Sequence, residues 1–233
     1  MDIKDKIVIV TGASQGIGLE ASRLLAKHGA KVVLAARSID KLKKIEKELP
    51  GSFAVAADLR NIKDIQNLMG AALKKFGRID ILINNAGQGM WSAIEQIDLG
   101  QYRSLVELNL FAPFLCMQAV IPIMRKQGGG LILNVSSMVT ENYYPNLAGY
   151  SSTKYALNAL SRTARVELQN DNIQVKLLRP KLVETDFGKN SAVPEPDALR
   201  DRRNPQAPPM DTAQVVAERL IGLIQSDEAE ASL

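Results

Sequence analysis

Apolar residues fall along this chain in two alternating rhythms. Short continuous runs at 6–10, 31–36, 53–57, 79–84, 130–135 and 174–178 are dominated by Val, Ile, Leu and Ala. Between them, at 16–28, 38–49, 62–76, 99–125 and 150–168, apolar side chains recur every three or four positions. Continuous runs mark strands covered on both faces, and the 3.6-residue rhythm marks amphipathic helices. The pattern therefore predicts six parallel strands alternating with helices: a doubly wound α/β sheet forming one domain over residues 1–233. Punctuation agrees with it. Gly29 ends the first helix, Ser38 stands where a cap for the second is needed, and Pro50-Gly51 breaks that helix. From 186 to 210 the rhythm lapses into a polar segment with Pro194, Pro196, Pro205, Pro208 and Pro209, the length and position of a loop covering a site. Asp211 or Thr212 then caps a last helix ending near 224.

Composition narrows the chemistry. The net charge of +4 comes from 29 basic and 25 acidic side chains scattered along the chain. That is too diffuse for nucleic acid and fits a small anionic ligand. One cysteine, Cys116, and one histidine, His28, exclude an internal disulfide, a Cys/His zinc site and a Cys-His catalytic pair, so no metal is expected. Cys116 reads as an inert core thiol and His28 as a helix-end residue. The N-terminus enters a strand without an apolar leader, and no run approaches the roughly 18 apolar residues that span a bilayer. A cytoplasmic protein without membrane contact is expected.

Candidate chemistry begins where the first strand turns into the first helix, at Thr11-Gly12-Ala13-Ser14-Gln15-Gly16-Ile17-Gly18. Glycines there allow backbone N–H groups at a helix N-terminus to approach a pyrophosphate closely, which predicts a dinucleotide site on a Rossmann-type sheet. A carboxylate at the end of the second strand would hold the ribose 2′-hydroxyl of NAD. This chain has Arg37 there instead, suited to a 2′-phosphate, so the expected cofactor is NADP(H).

With these residues in hand, the chain resembles the short-chain dehydrogenase/reductase family from Lys6 to about Phe187. The resemblance rests on TGASQGIG at Thr11 to Gly18, Asp58 with Leu59 after the third strand, Asn84-Asn85-Ala86-Gly87, Asn109, Ser137 and Tyr150-Ser151-Ser152-Thr153-Lys154. It implies that Gly12, Ser14, Gln15, Gly16, Ile17 and Gly18 cradle the cofactor, that Asp58 holds the adenine, and that Asn85, Ala86 and Gly87 floor the ribose. Pro180, Val183 and Thr185 would fix the nicotinamide; Lys181 departs from the glycine the family usually has there. Asn109 would hold a water linked to the lysine.

The residues support a catalytic role independently. Tyr150 and Lys154, four apart on a helix, share one face, and the ammonium is expected to lower the phenol's pKa enough for it to serve as acid and base. Ser137 lies at a strand end, where such sheets bind ligands, and the resemblance implies that it holds the substrate oxygen. These residues imply hydride transfer between NADPH and a small or medium apolar ketone or secondary alcohol. Within the family, a 3-oxoacyl thioester reductase or a hydroxysteroid dehydrogenase is the alternative. Outside it stand a non-catalytic NADP(H) sensor, which would not need Ser137, Tyr150 and Lys154 together, and a sugar epimerase or dehydratase. Trp91, Met138, Tyr143 and Tyr144, with the 186–210 loop, are expected to wall the substrate. No seventh strand is expected after the last helix, which argues against the acyl thioester alternative. A homodimer or homotetramer is expected: the resemblance implies that the helices at 99–125 and 150–168 are available for the dimer, while the missing seventh strand removes a surface commonly used for tetramers.

Overall fold

The computed structural model describes residues 1–194 and 210–233, so most of the expected substrate loop, 195–209, lies outside the described residues. The expected alternation is present: β1 (Ile7–Thr11), α1 (Gly16–Lys27), β2 (Lys31–Ala36), α2 (Ile39–Glu48), β3 (Phe53–Ala56), α3 (Ile62–Phe76) and β4 (Ile81–Asn84). A long helix follows as α4 (Leu99–Val106), a π turn (Glu107–Phe111) and α5 (Ala112–Lys126), then β5 (Gly130–Val135), α6 (Ala148–Leu168) and β6 (Ile173–Arg179). Short strands β7 (Val183–Glu184) and β8 (Asp211–Thr212) pair with each other, and α7 (Ala213–Gln225) and β9 (Glu230–Ser232) complete the chain.

The sheet runs β3-β2-β1-β4-β5-β6-β9, all parallel, seven strands where six were expected. The seventh carries only Glu-Ala-Ser and has no apolar run to betray it. Leu177, Leu178 and Arg179 of β6 pair with it, and Glu230 is gripped by Arg162, Arg165 and Arg179. The absence of this strand can therefore no longer count against an acyl thioester substrate.

Side chains alternate across the sheet with period two. Val8, Val10, Leu34, Ile81 and Leu133 meet α1, α2 and α7 on one face, while Ile7, Ile9, Val33, Leu82 and Ile132 meet α3, α5 and α6 on the other. Buried Lys176 on β6 closes the end of α7, its Nζ donating to the carbonyls of Leu223 (2.9 Å) and Ser226 (2.6 Å), where the helix dipole favours a cation. One expectation needs correcting: the helix Leu99–Lys126 is long and apolar enough by composition to cross a membrane. Its apolarity has a use within the fold, because Ala112, Cys116, Met117, Val120 and Met124 pack beneath the sheet. Strand order reverses between β1 and β4, and the crevice beyond their carboxyl ends is where such sheets bind ligands.

Candidate active site

That crevice is built first from the turn between β1 and α1. Gly12 and Gly16 adopt φ of +67° and +55°, conformations a side chain resists. A Cβ at Gly18 would sit 2.4 Å from the Gly12 carbonyl oxygen and 2.5 Å from Asn85 Nδ2. Gln15 starts α1 without any side chain bonding its first turn, so that turn's N–H groups stay available to an anion. The turn fits the pyrophosphate of a nicotinamide dinucleotide.

Its floor is locked by a residue that the motif hides in plain view. Thr11 Oγ1 donates to the Ile83 carbonyl (3.1 Å) and accepts from the N–H groups of Asn85 (2.9 Å) and Ala86 (3.0 Å), while Asn85 Nδ2 donates back to the Thr11 carbonyl (2.9 Å). Asn84 points into the sheet, where its amide donates to Asn134, which in turn donates to Ser161 on α6. These buried polar contacts tie β1, β4, β5 and α6 into one register beneath the site.

Asn109 lies in the π turn, a helical irregularity that often marks functional positions. Its Oδ1 accepts from the Gln88 N–H (2.9 Å), and its Nδ2 donates to the Gln88 carbonyl (2.8 Å) and to Thr153 Oγ1 (3.2 Å). The side chain pins the loop after β4 to α6. Gly87 passes close by: a Cβ there would be 3.3 Å from Asn109 Oδ1 and 3.7 Å from Lys154 Nζ.

Ser137 leaves the end of β5 with its hydroxyl in hydrogen-bonding reach of the Tyr150 phenol, while neighbouring Ser136 is spent on Asn158 (2.6 Å). Lys154 Nζ donates to the Val135 carbonyl (3.0 Å) and stands 5.8 Å from the Tyr150 ring centroid. The two side chains do share one buried face of α6. Their electrostatics differ from expectation, however. Burial pushes the phenol up to about 12, with the Ser137 hydrogen bond opposing it, and burial pushes Lys154 down to about 8. Removal from water disfavours both charged forms, and the ammonium, turned toward a backbone carbonyl, does not offset that for the phenol.

Arg37 is exposed at the end of β2, near enough to help hold the Asp58 carboxyl below its usual range. The main cause of that lowering is Arg60, which sequence reasoning missed. Its Nε and Nη2 grip both Asp58 oxygens (3.0 and 2.8 Å), and its Nη1 reaches Ser104 (3.1 Å). Asp58, expected to hold the adenine, is thus paired with Arg60 while its side chain stays partly exposed, and Leu59 beside it is buried.

Beyond β6, Pro180 accepts from the Met138 N–H (2.9 Å), joining the two strand-end loops, and Thr185 lies against the glycine turn, 3.4 Å from where a Gly16 Cβ would be. Lys181 does not adopt a positive φ, so its backbone conformation does not require the glycine the family usually has there. Its ammonium reaches Asp211 Oδ1 (3.5 Å) across the β7–β8 pair, while Asp211 Oδ2 is buried without a hydrogen bond. Of the expected substrate wall, Trp91 and Met138 are partly buried, but Tyr143 is 92% exposed and stacks on Tyr155. Phe187 takes the inner position, edge-on to Tyr150 with ring centroids 5.8 Å apart.

A glycine-lined anion cradle at a sheet's switch point, together with a half-buried serine meeting a buried Tyr-Lys pair, defines a dinucleotide-dependent oxidoreductase of the doubly wound α/β class. The chain belongs to the short chain dehydrogenase family, whose pattern it matches over residues 6–195, and that family works with a nicotinamide cofactor. It is 34% identical over 201 residues to a 3alpha-hydroxysteroid dehydrogenase of Mediterraneibacter gnavus, covering 84% of this chain and 80% of that one. It is 35% identical over 194 residues to the 7alpha-hydroxysteroid dehydrogenase of Escherichia coli, covering 82% and 76%. Among solved structures, an alcohol dehydrogenase of Thermococcus sibiricus complexed with 5-hydroxy-NADP superposes with a TM-score of 0.86 at 30% identity, covering 99% of this chain and 96% of that one. The 3-ketoacyl-(acyl-carrier-protein) reductase of Brucella melitensis, complexed with NADH, gives 0.88 at 28% identity, covering 99% and 97%.

Proposed function

We propose that this chain is an NADPH-dependent carbonyl reductase, also able to run in reverse as an alcohol dehydrogenase, acting on a small or medium apolar ketone. The observation that carries the reading is the convergence of half-buried Ser137 with buried Tyr150 and Lys154. Arg37 supports NADP(H) over NAD, because its guanidinium sits at the end of β2 where a carboxylate would repel a 2′-phosphate. When bound, the cofactor supplies hydride to the carbonyl carbon. Ser137 orients the substrate oxygen, and Tyr150 donates its phenolic proton to that oxygen as the alcohol forms. Lys154 lies within a helical turn of the phenolate left behind and favours it while itself charged. The phenol, pushed up to about 12 by burial, is protonated at neutral pH, and a charged Lys154 has to make it more acidic before it transfers that proton readily. The protein is proposed to act in the cytoplasm as a homodimer or homotetramer, and Phe111 and Phe114, exposed on the long helix, support a contact between copies there.

The test is NADPH oxidation, followed by absorbance, against diketones, aldehydes, ketosteroids and β-ketoacyl esters, for the wild type and Tyr150→Phe. Turnover on at least one ketone, lost in the variant while NADPH still binds, is expected. A Tyr150→Phe protein with ordinary turnover would refute the assigned acid. Tight NADPH binding with no turnover anywhere on the panel would favour the sensor. Preference for a ketosteroid would instead favour the second reading suggested by the two hydroxysteroid dehydrogenase relatives.

A further inference from the structure

Two segments far apart in sequence close over Tyr150. The strip after β4, residues 88–91, and the segment after Thr185, residues 187–193, run side by side as a short parallel ladder. Gln88 Nε2 donates to the Asn190 carbonyl (3.0 Å), the Ala192 N–H to the Gly89 carbonyl (2.8 Å), and the Trp91 N–H to the Val193 carbonyl (2.9 Å). Within the second segment a single helical turn is folded back on itself by Asn190 N–H to the Asp186 carbonyl (2.9 Å) and Ser191 Oγ to the Phe187 carbonyl (3.0 Å). The turn aims the Phe187 ring at the Tyr150 ring at an interplanar angle of 64°.

This docking depends on one missing carbon. A Cβ on Gly89 would stand 2.5 Å from Ser191 Oγ and 3.1 Å from Phe187 Cε1, both inside ordinary contact distance. Phe187 itself is 39% exposed, whereas Tyr150 is 8% exposed. One edge of the phenylalanine covers the tyrosine and the rest faces outward, as a door would.

We propose that Phe187 is the specificity-determining residue of this site: seated on Gly89, its ring gates Tyr150 and limits how bulky a group the reacting carbonyl carries. The inference rests on the oxidoreductase reading above. Small flanking groups pass beneath the ring, and aryl groups collide with it. A pocket wall that must be displaced costs binding more than chemistry, so the discrimination falls mainly on KM.

The test compares two diketones of the same chemistry, diacetyl with methyl groups and benzil with phenyl groups, in the wild type, Phe187→Leu and Phe187→Ala. Phe187→Ala is expected to raise the ratio of kcat/KM for benzil over diacetyl by about tenfold or more, through KM, with Phe187→Leu intermediate. A merely structural role would lower both substrates' kcat together and leave the ratio unchanged, and that result overturns the gate. The docking is read separately through Trp91, the single tryptophan of the chain, which forms part of the ladder. Gly89→Ala should red-shift its emission and increase its quenching by acrylamide, and Gly89→Ala combined with Ser191→Ala should restore both, since the closest clash is gone. Emission unchanged in Gly89→Ala overturns the seat. Absence of turnover by the wild type on any carbonyl removes the oxidoreductase reading, and the gate with it; wild-type turnover with an unmoved ratio removes the gate alone.

Discussion

Adding a single methyl group to Gly18 tests whether the turn between β1 and α1 is built for a close backbone approach. The new carbon would meet the Gly12 carbonyl at 2.4 Å and Asn85 Nδ2 at 2.5 Å, at least 0.9 Å inside the 3.4 Å where ordinary contact begins. Neither obstacle is a flexible side-chain end. The carbonyl belongs to a glycine whose own Cβ position is 3.0 Å from Ala86 Cα, and the amide is bonded to the Thr11 carbonyl. Relief therefore requires α1 to move outward or Asn85 to abandon its bond. Overpacking of this kind costs about 1–3 kcal/mol, and the broken hydrogen bond about 1 kcal/mol more. At about 2–4 °C per kcal/mol for a chain of this size, Tm should fall by about 4–16 °C.

Because the same displacement shifts the amides that face the phosphates, the Kd for NADPH should rise about tenfold or more, the equivalent of about 1.4 kcal/mol. Thermal unfolding by circular dichroism and titration of NADPH fluorescence measure the two effects. Gly70→Ala is the control: it lies inside α3, a Cβ there meets nothing within 4 Å, and it should raise stability by about 1 kcal/mol without touching the Kd. A Gly18→Ala protein that melts and binds like the wild type would show the turn to be roomier than its geometry implies and would sink the phosphate-cradle argument.

Three further outcomes follow from charges. Burial holds Lys154 at about 8 in the folded protein against 10.5 as its ordinary value, so between those pH values the unfolded chain binds a proton that the native one has released. Stability should rise by about 2 kcal/mol from pH 8 to pH 10, and Lys154→Met should lose that rise in denaturant titrations; parallel slopes in both proteins would count against it. Glu230 is held down to about 2 chiefly by its hydrogen bond with Arg162, with Arg165 and Arg179 adding to it, so its stabilisation is complete above the ordinary carboxylate range and lost as pH falls toward 2. Glu230→Gln should cost about 1–3 kcal/mol at pH 7 and flatten the acid limb of the stability curve, whereas an unchanged acid limb would mean the arginines do not depend on it. Arg37→Asp should raise KM for NADPH about tenfold or more while KM for NADH moves less than about threefold, because a charge-assisted contact to the 2′-phosphate becomes a repulsion; equal shifts for both cofactors would refute the NADP assignment.

What was legible in the sequence follows from how far each signal reaches along the chain. The first six strands declare themselves because a doubly covered strand must be apolar throughout, and α3 has its expected bounds of 62–76 because an amphipathic stripe fills it and Gly77 caps its end. Tyr150 and Lys154 announce their shared face by a spacing of four. β9 could not be read this way: three residues with one apolar side chain become a strand only because Glu230 finds three arginines 51 to 68 positions away. The π turn at Asn109 is hidden inside an ordinary helical rhythm, and the partners of its amide, Gln88 and Thr153, stand 21 and 44 positions away.

The same limit explains why the position of the Tyr-Lys pair is legible in the sequence and its protonation is not. Spacing says that an ammonium is near a phenol; whether it acidifies that phenol depends on how much water the surrounding helices and loops remove. Phe187, 37 residues from Tyr150 in the chain and held by a ladder to 88–91, is one of the groups that sets that dryness. Opening the ladder should therefore do two things at once, admitting a larger ketone and bringing the phenol's pKa back toward its ordinary value of 10, because one ring both excludes bulk and excludes solvent.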